Sequence, residues 1–234
     1  MGFYYFDYTY FLFMLPALIV TMIAQAKVKS AFSRYSKIRT ARNISGAEAA
    51  QNVAQYGGAA GVSVRQIAGN LTDNFDPRNR TISLSQDVYA STSVAAVGVA
   101  AHEAGHAIQD AHGYFPNKIR TALVPVTNFG SRLAFPLVFI GLILPTHYSF
   151  VVYCGIALYS FAVLFQLATL PVEINASLRA VKALEVTGIL YPEELEGAKK
   201  VLTAAALTYL AASFTAIMTL LRLLMIVGNR QGRD

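Results

Sequence analysis

Four apolar stretches limit what this sequence can fold into. Residues 3–23 carry a single charge, Asp7, residues 149–170 carry none, and residues 201–227 carry only Arg222 near their end. As helices, stretches of about 20 such residues cross the roughly 30 Å hydrocarbon core of a bilayer. The fourth, residues 120–145, is fully apolar only over 133–144 and reaches spanning length if it begins near Leu123. Pro16 and Pro136 are the expected kinks. With 55% hydrophobic and 14% charged residues the chain lies outside the soluble range. Its one cysteine, Cys154, rules out an internal disulfide, and its apolar surroundings predict burial. Ala24-Gln25-Ala26 has the form of a signal-peptidase site. The basic residues, however, follow the apolar run and do not precede it, which favours a retained anchor.

The net charge of +6 does not point to nucleic acid, because the basic residues cluster beside the apolar stretches. Residues 24–122 and 171–200 hold most of the Lys and Arg, while the turn around His147 holds none. By the positive-inside rule the two basic segments share the cytoplasmic face. Residues 27–44 read as a basic, partly amphipathic stretch along the anionic inner surface.

Between the first two stretches lies the pattern His102-Glu103-Ala104-Gly105-His106, an HExxH sequence. Residues i and i+4 share one face of a helix, so the two imidazoles can converge on one ion while Glu103 stands ready to take a proton from water. Imidazole ligands and hydrolytic chemistry suit zinc. The helix is predicted over 94–108, with Ser91, Thr92 or Ser93 as N-cap and Gly113 as the residue that ends it. Residues 94–101 are small and apolar, which implies burial, and two buried His and a Glu without partners would be expensive.

Two His leave a catalytic zinc one protein ligand short. Candidates for the third are His112, His147, Glu173, Glu185, Asp73, Asp76 and Asp87. His147 falls on the opposite side of the membrane, and His112 points away on a continuous helix. The aspartates suit turns and caps. Glu173, at the mouth of a span beside Ala176, Ser177 and Ala180, is the strongest candidate, with a solvated interfacial Glu as the alternative. Asn175 and Arg179 are candidates to support the site from behind.

The remaining patterns are local. Ser45 before Gly46-Ala47-Glu48 predicts a helix start, with Gln51, Asn52 and Gln55 facing outward and Gly57-Gly58 ending it. Residues 62–67 read as a short strand, 70–80 as a polar turn region, and 81–85 as a half-buried strand by their alternation. An exposed edge on residues 81–85 would suit pairing with an extended peptide. Pro171 is the expected start of a helix running to about Leu184, residues 191–200 are polar and acidic, and the last span begins at Val201.

Residues 71–77 (Leu71-Thr72-Asp73-Asn74-Phe75-Asp76-Pro77), the strand 81–85, Ala100 to Gln109, Pro171 to Ser177 and Val201 to Tyr209 together resemble a bacterial family of neutral, gluzincin-like membrane zinc metallopeptidases. The resemblance runs through nearly the whole chain in order. It implies a zinc-dependent membrane protease with His102, His106 and Glu173 as ligands and Glu103 as general base. More distant relatives, the heat-shock membrane proteases and prenyl-protein proteases, carry an Asp four residues after the ligand Glu. Position 177 here is Ser, so that carboxylate is absent.

The resulting expectation is an all-α integral membrane protein with about four transmembrane helices and a small zincin-like cytoplasmic module containing a short strand or hairpin. Its parts would be an anchor (1–26), a cytoplasmic segment with the HExxH helix (27–122), two spans (123–170), a cytoplasmic helix with the third ligand (171–200), and a last span with its tail (201–234). The expected cofactor is zinc. The expected partners are a peptide or protein substrate and the lipid bilayer of a bacterial cell membrane, not nucleic acid. The two rivals are an intramembrane protease, with the HExxH helix inside the bilayer, and a non-catalytic membrane scaffold that retains the motif.

Overall fold

The structure, a computed structural model, describes residues 8–231. Residues 3–7 of the first apolar stretch, and Arg233, lie outside them. The fold is mostly helical with one small sheet. A π-helical turn, Tyr10–Met14, leads into α1 (Leu15–Tyr35), and α2 (Gly46–Tyr56) follows. Strands β1 (Ser63–Ile67), β2 (Asn74–Asp76) and β3 (Thr81–Ser85) precede the single turn α3 (Gln86–Tyr89). Four helices complete the chain: α4 (Val94–Ala111), α5 (Phe115–Ile143), α6 (Phe150–Thr187) and α7 (Pro192–Gln231).

Among the described residues four helices are long and apolar enough to cross a membrane: Tyr10–Tyr35, Phe115–Ile143, Phe150–Thr187 and Pro192–Asn229. The HExxH helix α4 is not among them. Pro16 lies in the first turn of α1, directly after the π turn Tyr10–Met14.

The chain divides into two compact units. Among the described residues, one comprises 8–23, 119–170 and 209–231, the other 24–118 and 171–208. In the first, Val138, Val152, Ile156, Leu223 and Val227 form a buried cluster. Gly155 allows close approach there, since a Cβ at that position would lie 2.8 Å from the Ala134 carbonyl oxygen. Cys154, expected to be buried, is exposed. An apolar neighbourhood in sequence does not distinguish a core position from the outward face of a spanning helix, which is equally apolar.

The second unit is built around α4, whose residues from Val94 to Ala101 are buried apart from Val99. Its start is fixed by Ser93, whose hydroxyl accepts from the Ala96 N–H, and its end by Gly113 at φ 60°. Around it, Val53 of α2, Ile82 and Leu84 of β3, Leu184 of α6 and Leu202 of α7 complete one apolar core. The predicted start of α2 is a complete capping box between Ser45 and Glu48, and Gln51, Asn52 and Gln55 face outward.

Several local expectations are corrected. The alternating segment 81–85 is not a half-buried edge strand. It is the central strand of the order β1-β3-β2, parallel to β1 and antiparallel to β2, and all five residues are buried. Its polar face can be buried because each hydroxyl has a partner. Thr81 bonds Ser63, Ser83 accepts from Arg65 Nε, and Ser85 donates to Asp73. Both edges of β3 are therefore in use, which leaves none for an extended peptide to pair with. The region read as polar turn, 70–80, contains β2, a strand of only three residues between left-handed backbone at Leu71 and Arg80.

Three expected boundaries also vanish into continuous helices. Residues 27–35 are the last turns of α1 and not part of a separate surface stretch. Pro171 lies inside α6, where it removes one hydrogen bond at about 3 kcal/mol. Ending the helix there would leave many more backbone groups unpaired in apolar surroundings. Residues 192–200 are the first turns of α7, with Pro192 at a position that needs no N–H donor and Glu193 and Glu194 in the first turn.

Candidate metal centre

Helix α4 carries His102 and His106 one turn apart, with ring centroids 4.8 Å apart and planes at 86°. Residues 171–187 of α6 pack on the same face, and the closeness depends on Gly105. A Cβ there would collide with the Ala176 carbonyl oxygen. That approach brings Glu173, only 3% exposed, between the two rings. Its Oε2 lies 3.2 Å from His102 Nε2 and 3.3 Å from His106 Nε2.

The three ligand atoms lie within 4.8 Å of one another, and the group can hold a metal ion. The two edges from Glu173 can be compared with those of a zinc site. A tetrahedral zinc with bonds of about 2.0–2.2 Å to nitrogen and oxygen has ligand–ligand edges of about 3.3–3.6 Å. The two edges from Glu173 lie close to that figure, all three atoms lie within 4.8 Å, and two imidazoles with one carboxylate are a donor set that zinc accepts.

What holds the rings was not legible as such in the sequence. Ser177 Oγ lies 3.0 Å from His102 Nδ1, so the residue that replaces the relatives' carboxylate still supplies a hydrogen-bonding partner. Gln109 Oε1 lies 3.1 Å from His106 Nδ1. Gln109, one residue past the predicted end of the helix, is completely buried. The direction of its bonds is fixed by what surrounds it. Its Nε2 donates to the Val172 carbonyl at 2.7 Å and to Asn175 Oδ1 at 3.0 Å, and Arg179 Nε donates to the same Asn175 oxygen at 2.8 Å. A carbonyl can only accept and a guanidinium can only donate, so Gln109 must turn its oxygen to His106. His106 Nδ1 then carries a proton, and Nε2 is the ring atom turned to Glu173. The available signal was spacing: Gln109 follows His106 by three residues and shares its face of the helix.

Glu103 is buried beside the cluster, 9% exposed, and among the described residues no side chain donates a hydrogen bond to it. Burial pushes its carboxyl above the usual range, while the two imidazoles act in the opposite direction.

The other candidates are elsewhere. Glu185 is exposed, and it lies outside the metal-binding group. His112 caps α4 and sits 3.0 Å from Arg179 Nη1. Asp73 bonds the backbone N–H and hydroxyl of Ser85, Asp76 accepts from the Arg78 N–H, and Asp87 lies in the first turn of α3. His147 belongs to the short 3-10 turn between α5 and α6.

Residues 10–228 match a protein family described as "putative neutral zinc metallopeptidase". The chain is also 43% identical over 220 residues to the "putative membrane protease YugP" of Bacillus subtilis (strain 168), a match spanning 94% of this chain and 96% of that protein. No solved structure matches it.

Proposed function

This chain belongs to the "putative neutral zinc metallopeptidase" family, and we propose that it is a membrane endopeptidase in which His102, His106 and Glu173 hold zinc and Glu103 is the general base. The observation that carries the reading is the pair of 3.2 and 3.3 Å edges from Glu173 to the two imidazoles. The chemistry zinc supplies at such a centre is Lewis acidity, which polarises a peptide carbonyl and makes a neighbouring water acidic near neutral pH.

The chain's own residues do the rest. His102 and His106 present Nε2, oriented from behind by Ser177 and Gln109. Glu103 takes a proton from water as the new C–O bond forms, then returns it to the amine nitrogen as the C–N bond breaks. The same elements explain why a carboxylate is kept at 173 in a buried setting. Burying a charge without a partner costs several kcal/mol, and an ion held by all three groups offsets that.

The test is made on the purified, detergent-solubilised protein. Zinc content of about one per chain, with cleavage of an unfolded substrate that stops on chelation and returns with zinc, is the expected result. A preparation with one zinc per chain and no cleavage of any unfolded substrate would leave the scaffold reading standing.

Gln109 offers a separate check on how the site is held. Gln109→Leu removes the acceptor that fixes the His106 ring, and zinc affinity measured by chelator competition should fall about 10- to 100-fold. Unchanged affinity would mean that the ring is oriented without it.

The proposed orientation has the metal centre facing the cytoplasm, supported by the basic residues of segments 24–122 and 171–200. In a Cys154→Ser background, His147→Cys should react with an impermeant thiol reagent on intact cells, and Asn79→Cys only after permeabilisation. The reverse pattern would overturn the orientation.

A further inference from the structure

We propose that the groove between α1 and α7 binds the headgroup of an anionic phospholipid. The groove is a cavity of about 490 Å³ in which Lys27 and Arg34 of α1 face Lys199 and Lys200 of α7. The spacing is helical on both sides. Lys27, Ala31 and Arg34 repeat at four and three residues on α1, as do Lys200, Ala204 and Leu207 on α7. Each helix thus turns one basic face to the other.

Among the described residues the four cations of this groove outnumber its acidic groups. The one carboxylate in the groove, Glu196, bonds Lys199 at 2.8 Å. Arg34 stacks over the Tyr35 ring at 5.5 Å, and among the described residues neither it, Lys27 nor Lys200 pairs with a carboxylate. The faces cannot simply drift apart, because α1 and α7 are in close contact at Tyr35 and Gly197. A Cβ on Gly197 would lie 2.7 Å from the tyrosine ring. Like charges held together in this way favour an anion between them.

The surroundings decide which anion. The apolar part of α1 runs up to Ala26, immediately before Lys27, and the apolar part of α7 begins at Val201, immediately after Lys200. The cations therefore stand just past the apolar parts of two candidate spans. That is the depth of the phosphate layer, and basic pockets between spanning helices are suited to anionic headgroups. Ala31, Ala204 and Leu207 give the same cavity an apolar wall. A soluble phosphate has no use for that wall, whereas the glycerol and the start of an acyl chain do. The proposal does not depend on the metal centre.

The experiment uses the full chain in a neutral detergent, with binding followed by native mass spectrometry and thermal unfolding. Phosphatidylglycerol should remain as a one-to-one adduct and raise the unfolding temperature, while phosphatidylcholine, inorganic phosphate and glycerol phosphate should do neither. Arg34→Gln with Lys200→Gln should weaken phosphatidylglycerol binding about tenfold or more. Lys29→Gln with Lys37→Gln, which removes the same charge from exposed positions outside the groove, should leave binding intact. Arg34→Lys with Lys200→Arg keeps the charges and should retain it, which secures the comparison if the glutamine pair does not fold. Equal losses in the two glutamine pairs would reduce the effect to general surface attraction and overturn the site. Inorganic phosphate binding as tightly as the lipid would overturn the lipid assignment.

Discussion

Glu103→Gln is expected to keep its zinc and to lose peptide hydrolysis by about 10²- to 10⁴-fold, the usual worth of a positioned general base. Glutamine has nearly the same shape, so the burial of this position and the packing of α4 are preserved. What disappears is the ability to accept a proton from water and hand it on. Glu103 donates nothing to His102, His106 or Glu173, and the ligand geometry does not pass through it. Metal analysis beside a cleavage assay on the same preparation separates the two properties. A zinc-loaded Glu103→Gln protein with full activity would sink the proposed mechanism, and a zinc-free one would mean that Glu103 acts in binding.

Glu173→Ala should have its main effect one step earlier, on the metal itself. Removing an oxygen that lies 3.2 and 3.3 Å from the two imidazoles leaves only two protein ligands. Zinc affinity should fall by well over the 10- to 100-fold that the loss of a supporting residue costs. The variant should also lose the zinc-dependent rise in unfolding temperature, since stabilisation by a ligand follows its affinity. Glu185→Ala, at an exposed position on the same helix, should match the wild type in both measurements. Retention of zinc by Glu173→Ala equal to the wild type would refute the ligand assignment.

The legible part of this molecule was whatever depends on spacing along one element. The four apolar stretches, the caps at Ser45 and Ser93, and the two imidazoles one turn apart are all read from neighbours in sequence. Glu173 could be singled out because a carboxylate at the end of an apolar run is costly. What escaped was set by contacts distant in sequence. The Thr81–Ser85 strand alternates as an edge strand would, and only its partners Ser63, Arg65 and Asp73 make the polar side buriable. Gln109 looks like a polar terminus until Val172 and Asn175, more than sixty residues on, are placed against it. Pro171 carries the usual mark of a helix boundary, yet the helix continues because an apolar setting penalises a break more than one missing bond.

During synthesis, Glu173 follows His102 by 71 positions and emerges only after α5 and most of the apolar part of α6. At about 5–20 residues per second that interval is roughly 4–14 s. From His106 onward the growing polypeptide carries both imidazoles and the proposed base but no third ligand. On the proposed assignment, a ribosome stalled before residue 173 holds a chain that cannot complete the centre. Chain order thus makes completion of the proposed centre wait until α5 and most of the apolar part of α6 have been made.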